Sequence, residues 1–179
     1  MFDGTEVMVR FKQLYPQAKI FKKGRPYDAC YDVHAGVQFA KCGEPMWTDE
    51  TTTRYMPWIV PAGETKVIGT GISLELGRGY CGIVKGRSGL TSKGILVQLG
   101  TIETDYRGEI GVIIHNATCF DWACDPFDRI AQFCVQPIYT IHFELDTTTP
   151  MSKWLDTNRG ASGYGSSGMK PFDAQGSLI

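Results

Sequence analysis

Hydrophobic residues recur at every second position in several stretches of this chain: Val7, Val9 and Phe11; Ile72, Leu74 and Leu76; Ile110, Val112 and Ile114. A period of two puts those side chains on one face of an extended backbone, so each stretch predicts a half-buried β-strand. Further short runs with strand character, TKVIG, YCGIVK, ILVQL, RIAQFCVQ and IYTIHFEL, are separated by Gly, Pro or Asp. No amphipathic helical period longer than about ten residues occurs. The expected class is all-β, a barrel or sandwich. One short helix is predicted from Ser88 to Lys93, with a serine capping its start and Gly94 closing its end. Residues 40–58 predict a long loop, and residues 159–179 are rich in Gly and Ser.

Length and charge narrow the picture. The 179 residues suit one compact domain. With 18 basic against 19 acidic residues and a net charge of −1, no broad basic field exists, so neither nucleic acid nor a membrane is an expected partner. Any anion must be bound locally. No run of eighteen apolar residues occurs, and the first residues lack a secretory layout, so a soluble, cytoplasmic protein is expected, in the host cytoplasm if viral. Cys30, Cys42, Cys81, Cys119, Cys124 and Cys134 form no C-x-x-C, and His34, His115 and His142 form no H-x-x-x-H. Free thiols are expected rather than a zinc site.

Candidate chemistry lies in three segments. G-x-G-x-x-G occurs twice, at Gly77, Gly79, Gly82 and at Gly163, Gly165, Gly168. Neither opens a βαβ unit, because the first leads into YCGIVK and the second lies near the C-terminus. GRSGLTSKG (86–94) combines a guanidinium, a hydroxyl and the free backbone donors of a helix's first turn, a set that suits phosphate; an ordinary polar turn has the same composition. GTIETDYRGEIGVIIHN (100–116) reads as a hairpin with Glu103, Asp105 and Glu109 at its bend. Glu103 and Asp105 share a face if strand pairing continues through them, and are solvated turn carboxylates otherwise. RGASGYGSSG (159–168) has the composition of a linker, but a nucleotide lid would use its cation, hydroxyls, bare amides and aromatic face.

Taken in order, these pieces resemble the five motifs of the trimeric dUTPase family. Ala29-Cys30-Tyr31-Asp32-Val33 is similar to A-G-Y-D-L, and Arg87-Ser88-Gly89 to R-S-G. The segment from Gly100 to Glu109 is similar to the third motif, Asp128-Arg129-Ile130-Ala131-Gln132 to G-D-R-I-A-Q, and residues 159–168 to R-G-x-G-G-F-G-S-T-G.

The resemblance implies a jelly-roll-like β domain over residues 1–158 with a loop insertion at about 40–58, a mobile C-terminal arm at 159–168, and an extension at 169–179. It implies a homotrimer whose arm closes over a neighbouring subunit's site, and a Mg²⁺-dependent hydrolysis of dUTP to dUMP and pyrophosphate. That reaction limits uracil in DNA and supplies dUMP for dTMP synthesis. By the same carry-over, the carboxylate of Glu103, with Asp105 next, orients the attacking water. Backbone at Gly100 and Gly111 reads the uracil edge, Tyr106 packs under the deoxyribose, and Tyr164 with Gly165 covers the base. Arg87, Ser88, Gly89, Gln132, Arg159, Ser166 and Ser167 hold the triphosphate, and Asp32 holds waters of the magnesium ion.

Three departures from the family pattern stand out: Glu103 where the family has aspartate, and Cys30 and Phe127 where it has glycine. Two rival functions remain. A related dCTP deaminase needs an acid on the strand after the hairpin, where this chain has Ile113. A dUTPase-fold regulator would engage a protein partner through residues 40–58 with Trp47 and Trp58, unless those tryptophans pack the loop onto the barrel.

Overall fold

The computed structural model describes residues 6–39 and 55–162. Among them, ten strands and two one-turn helices follow in chain order. The strands are β1 (Arg10–Gln13), β2 (Tyr31–His34), β3 (Trp58–Val60), β4 (Thr65–Glu75), β5 (Tyr80–Lys85), β6 (Ile95–Val97), β7 (Gly100–Ile102), β8 (Glu109–Asn116), β9 (Trp122–Cys124) and β10 (Arg129–Pro137), and the helices are α1 (Ser88–Thr91) and α2 (Met151–Trp154). One antiparallel sheet has the order β1-β4-β8-β6, a second β2-β10-β5-β7, and β3 pairs with β9. The all-β expectation holds.

The clearest alternation in the sequence makes the centre of the core. Ile110, Val112 and Ile114 on β8 are fully buried, as are Ile68 and Ile72 on β4. From the second sheet, Val33, Val84, Ile130, Ala131 and Phe133 meet them in one cluster. Each large aliphatic side chain buried this way stabilises the fold by about 1.5–3 kcal/mol relative to exposure.

Asn116 at the end of β8 is buried with its amide fully used. Its Nδ2 donates to Val60 O at 2.9 Å and Phe120 O at 2.8 Å, and its Oδ1 accepts from Thr118. The sheets and the 117–120 turn are thereby tied together without an unsatisfied polar group.

Between Ser73↔Glu109 and Gly69↔Gly111 the β4–β8 register shifts, giving β4 two extra residues. This bulge needs Gly71, whose φ is +70° and whose Cα lies against the Tyr15 ring with no room for a Cβ.

Several sequence expectations are corrected. Residues 100–116 do not form a hairpin: β7 pairs with β5 in one sheet, while β8 pairs with β4 and β6 in the other. The bend between them crosses from sheet to sheet, because Ile102 packs toward β5 and Ile110 into the core. Of Val7, Val9 and Phe11 only Val9 packs on the core; Val7 and Phe11 stay exposed. The run 138–145 predicts a strand but has no ladder, and Tyr139, Ile141, Phe143 and Leu145 are exposed. The β10 ladder ends at Pro137, which has no N–H to extend it. Of the loop predicted over residues 40–58, residues 40–54 lie outside the described residues; at its end Tyr55 forms a bridge and Trp58 opens β3 instead. Trp58 packs on the core and donates its indole Nε1–H to Gly36 O at 2.7 Å, so it serves the fold; Trp47 lies outside the described residues.

Contacts divide the chain into a unit through Tyr139 and a second from Thr140. Within the second, α2 follows Pro150, and the Asp146 carboxylate accepts hydrogen bonds from Thr148 and Thr149. The sequence pattern did not predict α2. Arg159 donates from Nε to Ser162 O at 3.0 Å; residues 163–168, with Tyr164, Gly165, Ser166 and Ser167, lie outside the described residues.

Candidate active site

Antiparallel register across the second sheet sets one group of polar side chains in a row. Asp32 on β2 faces Gln132 on β10, which faces Lys85 on β5. Their neighbours in sequence, Val33, Ala131 and Val84, point the other way into the core. The chain then turns at Arg87, which lies two residues past Lys85.

The Asp32 carboxylate is nearly buried and receives two guanidinium groups: Arg87 Nε at 3.3 Å from Oδ1 and Arg129 Nη1 at 3.0 Å from Oδ2. Arg87 also donates from Nη1 to Arg129 O at 2.8 Å. Two cations on one anion leave a net positive surface at the sheet's edge, suited to an anion. Burial, with the positive charges of Arg129, Lys19 and Arg87, holds the neighbouring His34 below its ordinary pKa against the opposing pull of Asp32.

The short helix follows directly. Its N-cap is Arg87 in extended conformation, with no side-chain cap, and Ser88 is its first residue. The expected serine cap is therefore absent and the Ser88 hydroxyl is not spent on it. Leu90 N and Thr91 N are the first amides that donate back to Arg87 O, which leaves those of Ser88 and Gly89 at the helix start beside Arg87. The helix ends at Thr91 with Ser92 as its C-cap, two residues short of the expected Lys93, and Gly94, at φ +81°, ends the turn that follows rather than the helix.

The second group lines a cavity of about 600 Å³ with Glu103, Asp105, Tyr106 and Gly111 around an apolar floor of Val67, Ile102 and Ile113. Strand pairing stops at Ile102, so the two carboxylates reach this cavity through a turn rather than along a strand. A Cβ on Gly111 would come within 2.7 Å of Val67, so only glycine lets β8 and β4 approach here. The turn is braced by Thr104 Oγ1 donating to Tyr80 O at 2.7 Å and by Arg107 Nη1 donating to the carbonyls of Thr104 and Tyr106 at 2.8 and 2.9 Å.

The two groups stand at opposite ends of β5. Arg87 follows its last residue, while the acidic turn is bonded to its first, Tyr80. Five residue steps separate those ends, about 17 Å at the rise of a strand. Gly100, paired with Val84, lies between them. Sequence reasoning missed Arg129, Lys85 and Arg107 as parts of these groups; Arg129 stands in the fourth motif but only Gln132 of that motif was singled out.

Comparison with known proteins decides the family. The dUTPase family model matches residues 55–168. This chain belongs to the dUTPase family.

It is 33% identical over 162 residues to the deoxyuridine 5'-triphosphate nucleotidohydrolase of Variola virus, covering 90% of this chain and 94% of that one. It is 38% identical over 117 residues to the Orientia tsutsugamushi (strain Boryong) protein of the same name, covering 64% and 76%. Among solved structures, a mutant of the Staphylococcus bacteriophage 80alpha dUTPase with dUpNHpp is similar at a TM-score of 0.71 and 21% identity, covering 90% of this chain and 99% of that one. A mutant dUTPase from phage phi11 of S. aureus, with a structural Mg(II) ion, is similar at 0.64 and 19%, covering 79% and 98%. At these identities the structural likeness concerns the dUTPase fold.

Among the described residues no group of three His, Cys, Asp or Glu side chains could hold a metal, and no helix is long and apolar enough to cross a membrane.

Proposed function

We propose that this dUTPase-family chain hydrolyses dUTP to dUMP and pyrophosphate. Family membership over most of its length carries the reading, and the two clusters at the ends of β5 supply a chemistry for it.

Arg87, Ser88, Gly89 and Gln132, with Arg129 and Lys85 beside them, hold the triphosphate, and Arg159, Ser166 and Ser167 add contacts from the tail. Fixed guanidinium and amide donors stabilise the charge that develops on the phosphate oxygens. In the cavity, Glu103 accepts a proton from a water as the water's oxygen attacks the α-phosphorus. The α-phosphorus bond to the bridging oxygen breaks and pyrophosphate leaves. Asp105 is the neighbouring carboxylate. Tyr106 packs under the deoxyribose and disfavours a 2′-hydroxyl, backbone at Gly100 and Gly111 meets the uracil edge, and Tyr164 with Gly165 covers the base.

Asp32 fits a magnesium ion held through water. It is one hard oxygen ligand, which is too few for direct coordination by protein alone but suits Mg²⁺ shared between one carboxylate and substrate phosphates. Each of its oxygens bonds one arginine and keeps a second lone pair for a water. When bound, the ion would neutralise charge on the triphosphate.

The separation of the two clusters by about 17 Å along β5 favours a site completed between copies, in a homotrimer whose tail is shared. A deaminase would need an acid where β8 presents Ile113 to the cavity. The test is incubation of the purified chain with dUTP, dCTP, dTTP and UTP with Mg²⁺, followed by separation of products. The expected products from dUTP are dUMP and pyrophosphate; release of ammonia or of single phosphate sinks the reading.

A further inference from the structure

Glu109 is the third carboxylate of the acidic turn and has no part in the chemistry above, yet its two ends join two features of the fold. Its Oε1 accepts the backbone N–H of Gly71 at 2.7 Å. Gly71 lies inside the β4 bulge, where two extra residues leave donors without a ladder partner on β8. Thr70 Oγ1 serves one of them, accepting from Ile72 N while donating to Ile110 O, and Glu109 serves the other. The carboxylate lies so close over the β4 backbone that a Cβ on Gly69 would collide with it.

At its other end, the Glu109 backbone carbonyl accepts the Tyr106 hydroxyl at 2.9 Å. The Tyr106 ring folds back over Gly108, where any Cβ would meet the ring and hydroxyl, so glycine is what lets the tyrosine reach that carbonyl. Both Tyr106 and Glu109 line the cavity. The β8 ladder holds Glu109 at Ser73 on one side, and the next β4 pair is two residues on, at Gly111. The carboxylate–Gly71 bond therefore fixes the stretch of β8 from which the Tyr106 tether hangs.

We propose that Glu109 is a positioning residue for sugar discrimination: its carboxylate locks the start of β8 onto the β4 bulge, and its carbonyl holds Tyr106 at the height that excludes a 2′-hydroxyl. The inference rests on the reading of Tyr106 as the residue under the deoxyribose.

It is tested by kcat/KM for dUTP and for UTP in Glu109→Ala, Glu109→Gln, Tyr106→Phe and Tyr106→Ala, read as the ratio of the two substrates, which is independent of the fraction of protein folded. Glu109→Ala is expected to lower the dUTP preference about three- to tenfold, the worth of one hydrogen bond. Glu109→Gln, whose amide oxygen still accepts from Gly71, restores most of it. Tyr106→Phe matches Glu109→Ala, and the Glu109→Ala/Tyr106→Phe double variant is no worse than either single one. If Glu109→Ala lowers both kcat/KM values and leaves their ratio unchanged, its role is structural only and the inference is overturned. A normal ratio in Tyr106→Phe beside a lowered one in Glu109→Ala also overturns it, since the tether is then not the route. If Tyr106→Ala itself keeps the wild-type ratio, the underlying placement of Tyr106 fails, and this inference fails with it.

Discussion

At the scale of single residues, Glu103 is the position where the proposed chemistry and a departure from the family pattern coincide. It carries one more methylene than aspartate, yet the turn that presents it is braced by Thr104 and Arg107 and opens on the cavity. If it orients the water, Glu103→Gln loses about 10²–10⁴-fold in kcat while binding of a non-hydrolysable dUTP analogue, measured by calorimetry, stays within a few-fold. A variant that keeps more than half its rate moves the role to Asp105. Cys124 gives a second residue-scale prediction. Burial, helped by the nearby Asp128 and Asp125 charges, pushes its thiol from an ordinary 9.0 up to about 12. A raised folded-state value means that the thiol stays neutral in the fold when the unfolded chain has begun to lose its proton. Its stabilising effect is complete below pH 9 and is lost as pH rises from 9 to about 12, at up to about 1.4 kcal/mol per pH unit. Melting temperatures taken across that window should fall less steeply in Cys124→Ala than in the wild type, and parallel slopes would remove Cys124 from the account.

At the scale of elements, the third-motif segment is the instructive one. Its two halves alternate as strands, and both are strands, but they belong to different sheets. The crossing places Glu103, Asp105 and Tyr106 over β4 and β8 rather than at the tip of a ribbon. Asn116 closes the far end of this segment with its buried amide. Asn116→Ala leaves the Val60 and Phe120 carbonyls without that donor and opens a void, at a cost of about 2–4 kcal/mol. Urea unfolding should show the midpoint fall by that energy divided by the slope, with the slope unchanged, and a loss under about 0.5 kcal/mol would mean that water replaces the amide. The tail is the opposite case. Truncation before Arg159 should leave the melting temperature nearly unchanged and lower kcat/KM by about 10²–10⁴-fold, from one base-stacking contact and one charge-assisted phosphate contact. Full activity of the truncated chain would return those residues to the role of linker.

At the scale of the whole molecule, the proposed site requires clusters at opposite ends of a six-residue strand to meet on one nucleotide. If the phosphate group of one copy meets the acidic turn of another, two inactive variants complement each other. Refolding Arg87→Ala with Glu103→Gln in equal amounts then yields a trimer population in which about a quarter of all sites pair an intact Arg87 with an intact Glu103. Activity near that fraction is expected, with mixed trimers verified by native mass spectrometry. No recovery in verified mixtures would place each site within a single chain.

Much of this molecule was legible from neighbours along the chain. The period-two alternation at Ile110, Val112 and Ile114 marks a core strand because the pleat alone decides which side chains share a face. Gly94 marks the end of the turn that carries α1 into β6, for an equally local reason, a left-handed backbone. Phe127 shows the limit. Its glycine-like position was visible in the sequence, but only the structure shows that it keeps φ +74°, with its N–H on Ala35 O and its ring against Tyr55. The same limit explains the run 138–145, whose alternation is real but which has no ladder once β10 ends at Pro137. Alternation is set by the chain itself, whereas a strand also needs an edge to pair with. Likewise the row Asp32, Gln132 and Lys85 draws on residues up to a hundred positions apart, and Arg129 joins it only through the register of β10 against β2. The order of side chains along a strand is a property of sequence; which strands pair, in what register and around which bulge is decided by burial and hydrogen bonding across the whole fold.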